Sequence, residues 1–287
     1  VFRYITRYQD QDHLREQFFR LARDTFRIDF EPWYNRGGWT EEYQCHSLTV
    51  HNRVVANVSV NRMYLSINAC PVTAWQIGTV MTAPDYRGKG MSSELMEMVL
   101  DGLPKNEPVF LFAHEKAASY YTRFGFVPHA QFDYSLDFPY PITTVGEGRR
   151  LYFSDDQDWQ ILHKIIADRE PVSNRIGIYA NAHLLDFYAM NGFELCFHLL
   201  DEKTIVVYAE RKDELHLYDI VASRIPTMTE LLTRLPMTDM HRVVFHFTPD
   251  RLEVECPPVP CGMNELFVRK PDVFPTEPFL FPELGQA

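Results

Sequence analysis

Apolar residues recur along this chain in two alternating rhythms. Leu14, Phe18, Leu21, Ala22 and Phe26 fall at three- and four-residue spacing, which predicts one face of a helix. Asp10 or Asp12 can cap its start, and a strand over residues 2–7 precedes it. Runs rich in β-branched residues predict strands at 45–51 and 54–66, with His51-Asn52-Arg53 as their turn. In Trp75-Gln76-Ile77-Gly78-Thr79-Val80-Met81 the alternation of Trp75 and Ile77 changes phase at Val80, which predicts a bulge near Gly78. Helical spacing then returns: Met91, Leu95, Met98, Val99 and Leu103 share a face. A buried strand is expected at 109–113, followed by a short helix through Ala117-Ala118-Ser119-Tyr120-Tyr121-Thr122-Arg123-Phe124-Gly125-Phe126.

The second half repeats the opening. Tyr8-Gln9-Asp10-Gln11-Asp12 before the first helix is echoed by Ser154-Asp155-Asp156-Gln157-Asp158 before Trp159, Leu162 and Ile166. Strand-like runs at 195–199, 204–209 and 215–222 lead to a helical pattern (Met228, Leu231, Leu232, Leu235) and a strand at 243–247. The prolines in Asp137-Phe138-Pro139-Tyr140-Pro141-Ile142 and the glycines of Gly146-Glu147-Gly148 read as a boundary, which divides the chain into 1–145 and 146–287.

Candidate chemistry concentrates where the strand at 75–81 hands over to the helix. Pro84 cannot continue a ladder, and Arg87-Gly88-Lys89-Gly90-Met91-Ser92-Ser93 places two glycines and serines at a helix N-terminus. Free N–H groups and the positive dipole end there suit phosphate oxygens, and glycine lets the backbone approach an anion closely. The spacing is not that of a Walker loop, and a dinucleotide fingerprint would want a third glycine where Ser93 stands.

Arg-x-x-Gly-x-Ser, preceded by Val-x-x-x-Pro-x-x-Tyr, resembles the acetyl-CoA loop of the GNAT N-acetyltransferases, whose pattern is Gln/Arg-x-x-Gly-x-Gly/Ala; Ser92 is a mild departure. Downstream, Tyr121 stands four residues before Gly125-Phe126, as in that family's next motif. The resemblance implies a mixed α/β (α+β) fold with two GNAT-type domains in tandem, each a mostly antiparallel mixed sheet flanked by helices. Domain 1–145 would be catalytic; domain 146–287 would lack the loop, since Ala222-Ser223-Arg224-Ile225-Pro226-Thr227 offers no Gly-x-Gly. It further implies acetyl-CoA as co-substrate and an amine as acceptor. The backbone of Val80, Met81 and Thr82 would pair with pantetheine. The N–H groups of Gly88, Gly90, Met91, Ser92 and Ser93 would hold the pyrophosphate, with Arg87 and Lys89 adding charge. Tyr121 takes the position of the general acid, Tyr120 that of its packing neighbour, and His114 relays a proton or contacts pantetheine.

No carboxylate lies on the strand at 75–81, only Gln76, so the base is left open. The tandem order is similar to the first two domains of the enhanced intracellular survival acetyltransferases, in which the terminal carboxylate enters the first active site; this makes Ala287 a second catalytic candidate. The aromatic stretch 29–39 is either a wall of the acceptor site or an aromatic-pinned surface loop. Phe187-Tyr188-Ala189-Met190-Asn191-Gly192-Phe193 repeats the Tyr-to-Gly-Phe spacing in a half without a loop, so Tyr188 is read as a packing residue beside Leu184, Leu185 and Phe187. His241, His246, Cys256 and Cys261 could nominally bind zinc, but the stiff Pro-Pro-Val-Pro between the cysteines favours structural residues, and no metal is expected. Asn57-Val58-Ser59 matches a glycosylation acceptor but falls within a predicted strand.

Composition adds little that changes this. The 287 residues suffice for two domains, and 46% apolar content fills two cores. A net charge of −11 speaks against nucleic acid as partner. Five scattered cysteines fit a reducing cytoplasm. No apolar run reaches the roughly 18 residues of a membrane span, and a homo-oligomer is compatible with the sequence. Two classes of function remain: an N-acetyltransferase, or a non-catalytic acyl-CoA-binding or interaction module.

Overall fold

Alternating apolar strands and amphipathic helices build two sheets in this computed structural model, which describes residues 2–191, 193–262 and 265–287. The first half supplies β1 (Arg3–Thr6), β2 (Tyr43–Val50), β3 (Arg53–Ile67), β4 (Cys70–Thr82), β5 (Val109–Phe112) and β6 (Val127–Pro128). Between them lie α1 (Asp12–Phe26), α2 (Glu31–Asn35), α3 (Met91–Gly102) and α4 (Ala118–Tyr121). Further along come β7 (Phe132–Thr144), β8 (Arg149–Arg150), α5 (Asp156–Ala167), β9 (Ile176–Ala180) and α6 (Ala182–Met190). The last third holds β10 (Cys196–Asp201), β11 (Thr204–Arg211), β12 (Glu214–Ala222), α7 (Met228–Arg234), β13 (Met237–Phe245), β14 (Val259–Pro260) and β15 (Leu266–Arg269).

The sheets do not sort by halves of the sequence. The first runs β1-β2-β3-β4-β5-β15-β6, with β9 also paired to β3; the second runs β14-β7-β13-β12-β11-β10-β8. β9 takes Tyr64–Ile67 of β3, beyond the point where β2 stops at Tyr43↔Asn61. β15 lies between β5 and β6. Both sheets are antiparallel except at one pair each, β4 with β5 and β12 with β13. This is the mixed, mostly antiparallel architecture expected, and the echo between the halves is structural.

Several readings of the sequence are corrected. Asp137–Ile142 is not a connection but part of a 13-residue strand of the second sheet. Its prolines escape the ladder because Arg242 pairs with Asp137 and Met240 with Ile142, so residues 138–141 have no partner on β13. Neither Asp10 nor Asp12 caps α1: Gln11 holds that position without a side-chain bond, and Asp12 pairs with Arg15 at 2.7 Å. In the echo, by contrast, Asp155 caps α5 by accepting from the Gln157 N–H at 2.8 Å. On α1 Phe19 is buried and Phe26 exposed; on α3 Met96 and Leu100 are buried and Met98 exposed. The stretch 29–39 is not irregular throughout, since α2 occupies its middle, started by Pro32 in the first turn. Asn57 is buried within β3.

Candidate active site

β4 and β5 run parallel for three pairs, Trp75↔Val109, Gln76↔Phe110 and Ile77↔Leu111, and then part. β4 continues to Thr82 with its β5-facing edge unpaired, while β3 remains bonded on its other side. The predicted bulge is present: Ser59 pairs with Gly78 and Asn57 with Met81, so Thr79 and Val80 oppose the single residue Val58. Thr79 adopts φ 49°, an unfavourable conformation for a β-branched residue.

A buried polar network holds that conformation. Asn57 Nδ2 donates to the Thr79 carbonyl at 3.0 Å and to Ser59 Oγ at 2.9 Å. Ser47 Oγ donates to Asn57 Oδ1 at 2.9 Å, and the Tyr8 hydroxyl is 2.7 Å from Ser47 Oγ. The Tyr43 hydroxyl lies 2.9 Å from Ser59 Oγ and 3.0 Å from Thr79 Oγ1. Burial raises Tyr8 and Tyr43 well above the usual phenol range, so both stay protonated donors.

Past the bulge, a 3-10 turn at Pro84–Tyr86 delivers the chain to the loop. Gly88 and Gly90 have φ of 73° and 80°, and a Cβ at either would meet nothing within 4 Å. Their role is therefore conformational, with open space on the side a ligand would approach. Gly90 stands at the N-cap of α3 with no capping side chain, so the first-turn N–H groups of Met91, Ser92 and Ser93 face that space without one. Arg87 Nε donates to the Thr82 carbonyl at 3.0 Å, and Lys89 Nζ lies 5.0 Å from the centre of the Tyr86 ring. Ser92, the departure from the family pattern, shares a 2.6 Å hydrogen bond with the Tyr120 hydroxyl and so ties α3 to α4.

Tyr121 is buried on the α3 side of the first sheet, among Leu95, Ile77, Phe126 and Phe267. Its pKa is pushed up to about 12, chiefly by burial and then by Tyr120. Among the described residues no hydrogen bond occupies its hydroxyl. His114, exposed just beyond β5, accepts from the Lys116 N–H at 3.3 Å.

The tail arrives on the opposite face. Phe279 and Phe281 are buried against the first sheet, Phe281 lying 5.1 Å from Phe110 and 5.2 Å from Phe112. Leu284 enters the second core. The Tyr188 hydroxyl, on α6, donates to the carbonyls of Glu283 (3.1 Å) and Gln286 (2.9 Å). Tyr188 thus does pack beside Phe187 and Phe193, but it also clasps the tail; Gly192 of its pattern lies outside the described residues. Ala287 comes to rest against the bulge, where a Cβ on Gly78 would lie 2.9 Å from its oxygen. Beside it opens a cavity of about 260 Å³ walled by the aromatic stretch (Phe30, Trp33), Tyr43, Thr79, Phe112 and Phe187. Of the two readings of residues 29–39, the structure gives a cavity wall.

The second half has a matching split, closed. β12 and β13 pair from Glu214↔Arg242 to Leu217↔Phe245 and part, but the tail lies there: the Glu283 N–H donates to the His246 carbonyl at 3.0 Å. The first turn of α7 is already satisfied by a capping box, Thr227 with Glu230. His246 stacks on Tyr218 at 3.9 Å and bonds His216 (3.0 Å) and the Glu283 carboxylate, so it is partnered in the core. Among the described residues no group of three or more His, Cys, Asp or Glu could hold a metal.

The sequence alone did not single out Tyr43 or Thr79, and it offered Asn57 only as a glycosylation match. Asn57, Ser59 and Asn61, polar at alternate positions of an otherwise apolar strand, were the available signal for a buried polar face.

Comparison with known proteins bears on this geometry. A family model described as an acetyltransferase (GNAT) domain matches residues 6–128. No match to a curated protein is found. Among solved structures, a probable N-acyltransferase of unknown function from Enterococcus faecalis V583 is similar with a TM-score of 0.61 at 13% identity, over 94% of this chain and 72% of that one. Eis1 from Mycobacterium abscessus is similar with a TM-score of 0.57 at 14% identity, over 94% and 73%. A GCN5-related N-acetyltransferase from Kribbella flavida gives 0.56 at 16% identity, over 94% and 72%. Residues 6–128 match the model of the GNAT acetyltransferase domain, and the chain shares its fold across nearly its whole length with N-acyltransferases.

Proposed function

We propose that the protein transfers an acetyl group from acetyl-CoA directly to a primary amine, within a catalytic unit at 1–145 supported by a loopless GNAT-like unit at 146–287. The observation that carries this is the convergence at one break in the sheet. An unpaired β4 edge, an uncapped helix N-terminus and a free buried phenol lie on one side, and an open cavity lies on the other.

The residues present suit that donor. The N–H groups from Gly88 to Ser93 donate to pyrophosphate oxygens, with Arg87 and Lys89 adding charge; the β4 edge at Val80, Met81 and Thr82 pairs with the pantetheine amides, and His114 borders the same arm. An N–H on that edge donates to the thioester oxygen as negative charge develops. The amine nitrogen forms its bond to the carbonyl carbon, the carbon–sulfur bond breaks, and the amine loses a proton. That proton leaves to water, and an oxygen of Ala287, which lines the cavity, accepts hydrogen bonds from the amine and orients it. Tyr121 donates its proton to the departing sulfur. Its raised pKa is no obstacle, because the burial that lifts the phenol also lifts a thiolate beside it.

The test is acetyl-CoA consumption with thiol release across a panel of amines, together with calorimetric titration of acetyl-CoA. One site per chain and amine-dependent thiol release are expected. Two equivalent sites, or no binding, would sink the assignment; tight binding without turnover on any amine would leave a non-catalytic module.

A further inference from the structure

The cavity beside Ala287 has a chemistry of its own. Among the described residues, no Asp, Glu, Lys or Arg side chain lines it. Its walls are the aromatic and aliphatic side chains of Phe30, Phe112, Leu184 and Phe187, with Phe26 and Phe193 at 42% and 44% exposure marking its mouth. Three polar side chains of the lining, those of Trp33, Tyr43 and Tyr188, are turned to partners within the protein. Trp33 Nε1 donates to the His183 carbonyl at 2.7 Å, Tyr43 is bonded to Ser59 and Thr79, and Tyr188 is bonded to the tail. Among the described residues, polar atoms are offered to an entering molecule by Thr79 and the main chain of Ala287 on the β4 side and by the neutral amide of Gln286 beside them.

From this we infer that the acceptor is a monoamine whose nitrogen is carried on an apolar body, an arylalkylamine or alkylamine, and not a polyamine or a polyhydroxylated aminocyclitol. The inference rests on the transferase reading above. The nitrogen lies at the β4 end, near the break between β4 and β5, and the body fills the aromatic cavity. A second ammonium placed among these aromatic walls, away from Ala287, would lose its hydration and find no side-chain carboxylate among the described residues, which disfavours polycations strongly. A carboxylate-rich cavity of about 570 Å³ with Asp133, Glu194, Glu210 and Glu265 in its lining does exist nearby. It lies beyond the wall made by Tyr188, Phe193 and Gln286, which border both spaces.

The experiment compares kcat/KM for propylamine, butylamine, pentylamine, hexylamine, 2-phenylethylamine and spermidine at one pH. Calorimetric titration of 2-phenylethylamine accompanies it. Each added methylene should raise kcat/KM about fourfold, the equivalent of ~0.8 kcal/mol, until the cavity is filled. 2-Phenylethylamine should exceed spermidine by about a hundredfold or more. Phe26→Asp, at an exposed position that folding tolerates, should narrow that ratio by about tenfold or more, and Phe187→Ala should flatten the chain-length series. A flat series in the wild type, or spermidine turned over as well as 2-phenylethylamine, overturns the inference. If no amine releases thiol, calorimetry separates the two ideas. Binding of 2-phenylethylamine weakened by Phe26→Asp supports the site while the transferase reading fails, and absence of binding removes both.

Discussion

Gly78→Ala isolates the meeting of bulge and tail. Gly78 does not have a positive φ, so alanine suits its backbone, and the atoms nearest the added methyl all belong to Ala287: its Cβ would lie 2.9 Å from the Ala287 oxygen and 3.2 Å from its carbonyl carbon. Real Cβ contacts do not reach 2.9 Å, so something must move by about half an ångström. β4 is the stiff partner, with eleven residue pairings to β3 and three to β5. The end of the tail is the soft one. Beyond Leu284 it is held by the Tyr188 bond to Gln286 (2.9 Å) and the Gln286 N–H to the Glu283 carbonyl (3.0 Å), each a net ~0.5–1.5 kcal/mol. Ala287 therefore yields, and global stability should fall by no more than about 1.5 kcal/mol. A 1 Å misplacement can cost about 10²-fold, so a shift of about half that at the group proposed to orient the nucleophile should cost roughly tenfold in turnover. The proposed donor site lies across the sheet from the new methyl, so acetyl-CoA affinity should hold. Steady-state thiol release, acetyl-CoA calorimetry and thermal unfolding read the three quantities separately. Tyr188→Phe loosens the same residues, so the double variant should be no worse than the worse single one. Wild-type turnover in Gly78→Ala, with the tail demonstrably displaced, would refute any part for Ala287.

Tyr121→Phe should lower kcat by ~10²–10⁴ with folding and acetyl-CoA affinity intact, because the ring still packs against Phe126 and Phe267; unchanged kcat in steady-state assays would pass the proton-donor role to another group. Gly90→Val forces a β-branched residue to φ 80° at the α3 N-cap and should weaken acetyl-CoA binding by more than ~1 kcal/mol in calorimetry. Burial holds His183 down at about 4, so the unfolded chain binds the extra proton as pH drops from about 6.5 towards 4, and the folded state loses up to roughly 3 kcal/mol over that window. Urea titrations at pH 7 and 4.5 should show a smaller loss in His183→Gln; His163, raised by its bond to Asp186, acts with the opposite sign in both proteins.

The run from β4 through α4 was legible in the sequence because its signals are local. The phase change at Gly78 announced the bulge, Pro84 the strand end, and the glycines the turn into α3. The loopless character of the second half was legible for the same reason. What stayed hidden depends on partners far along the chain. β7 looked like a connection because proline is a poor ladder residue, and only the pairing shows that Pro139 and Pro141 fall opposite a gap in β13. β9 and β15 are short apolar runs that become strands through edges supplied by β3 and β5. Tyr188 looked like packing because nothing near it in sequence says that its hydroxyl meets carbonyls about a hundred residues away. Residues 29–39 could be weighed only as wall or loop, since the other wall comes from α6.

The interleaving of strands sets an order of events during synthesis. β5 waits with one edge bare until Leu266–Arg269 arrives, more than 150 residues after β5 itself has been made. β7, made early, has to hold its place for β13. A ribosome that has released only the GNAT domain proper has released a sheet whose rim is unfinished, with apolar Phe110 not yet covered by Phe274 and Phe281. Such an edge is a template for pairing with a neighbouring nascent chain. Folding of the first sheet is thus tied to strands made late, and fragments cut near residue 145 should aggregate more than the 287-residue chain.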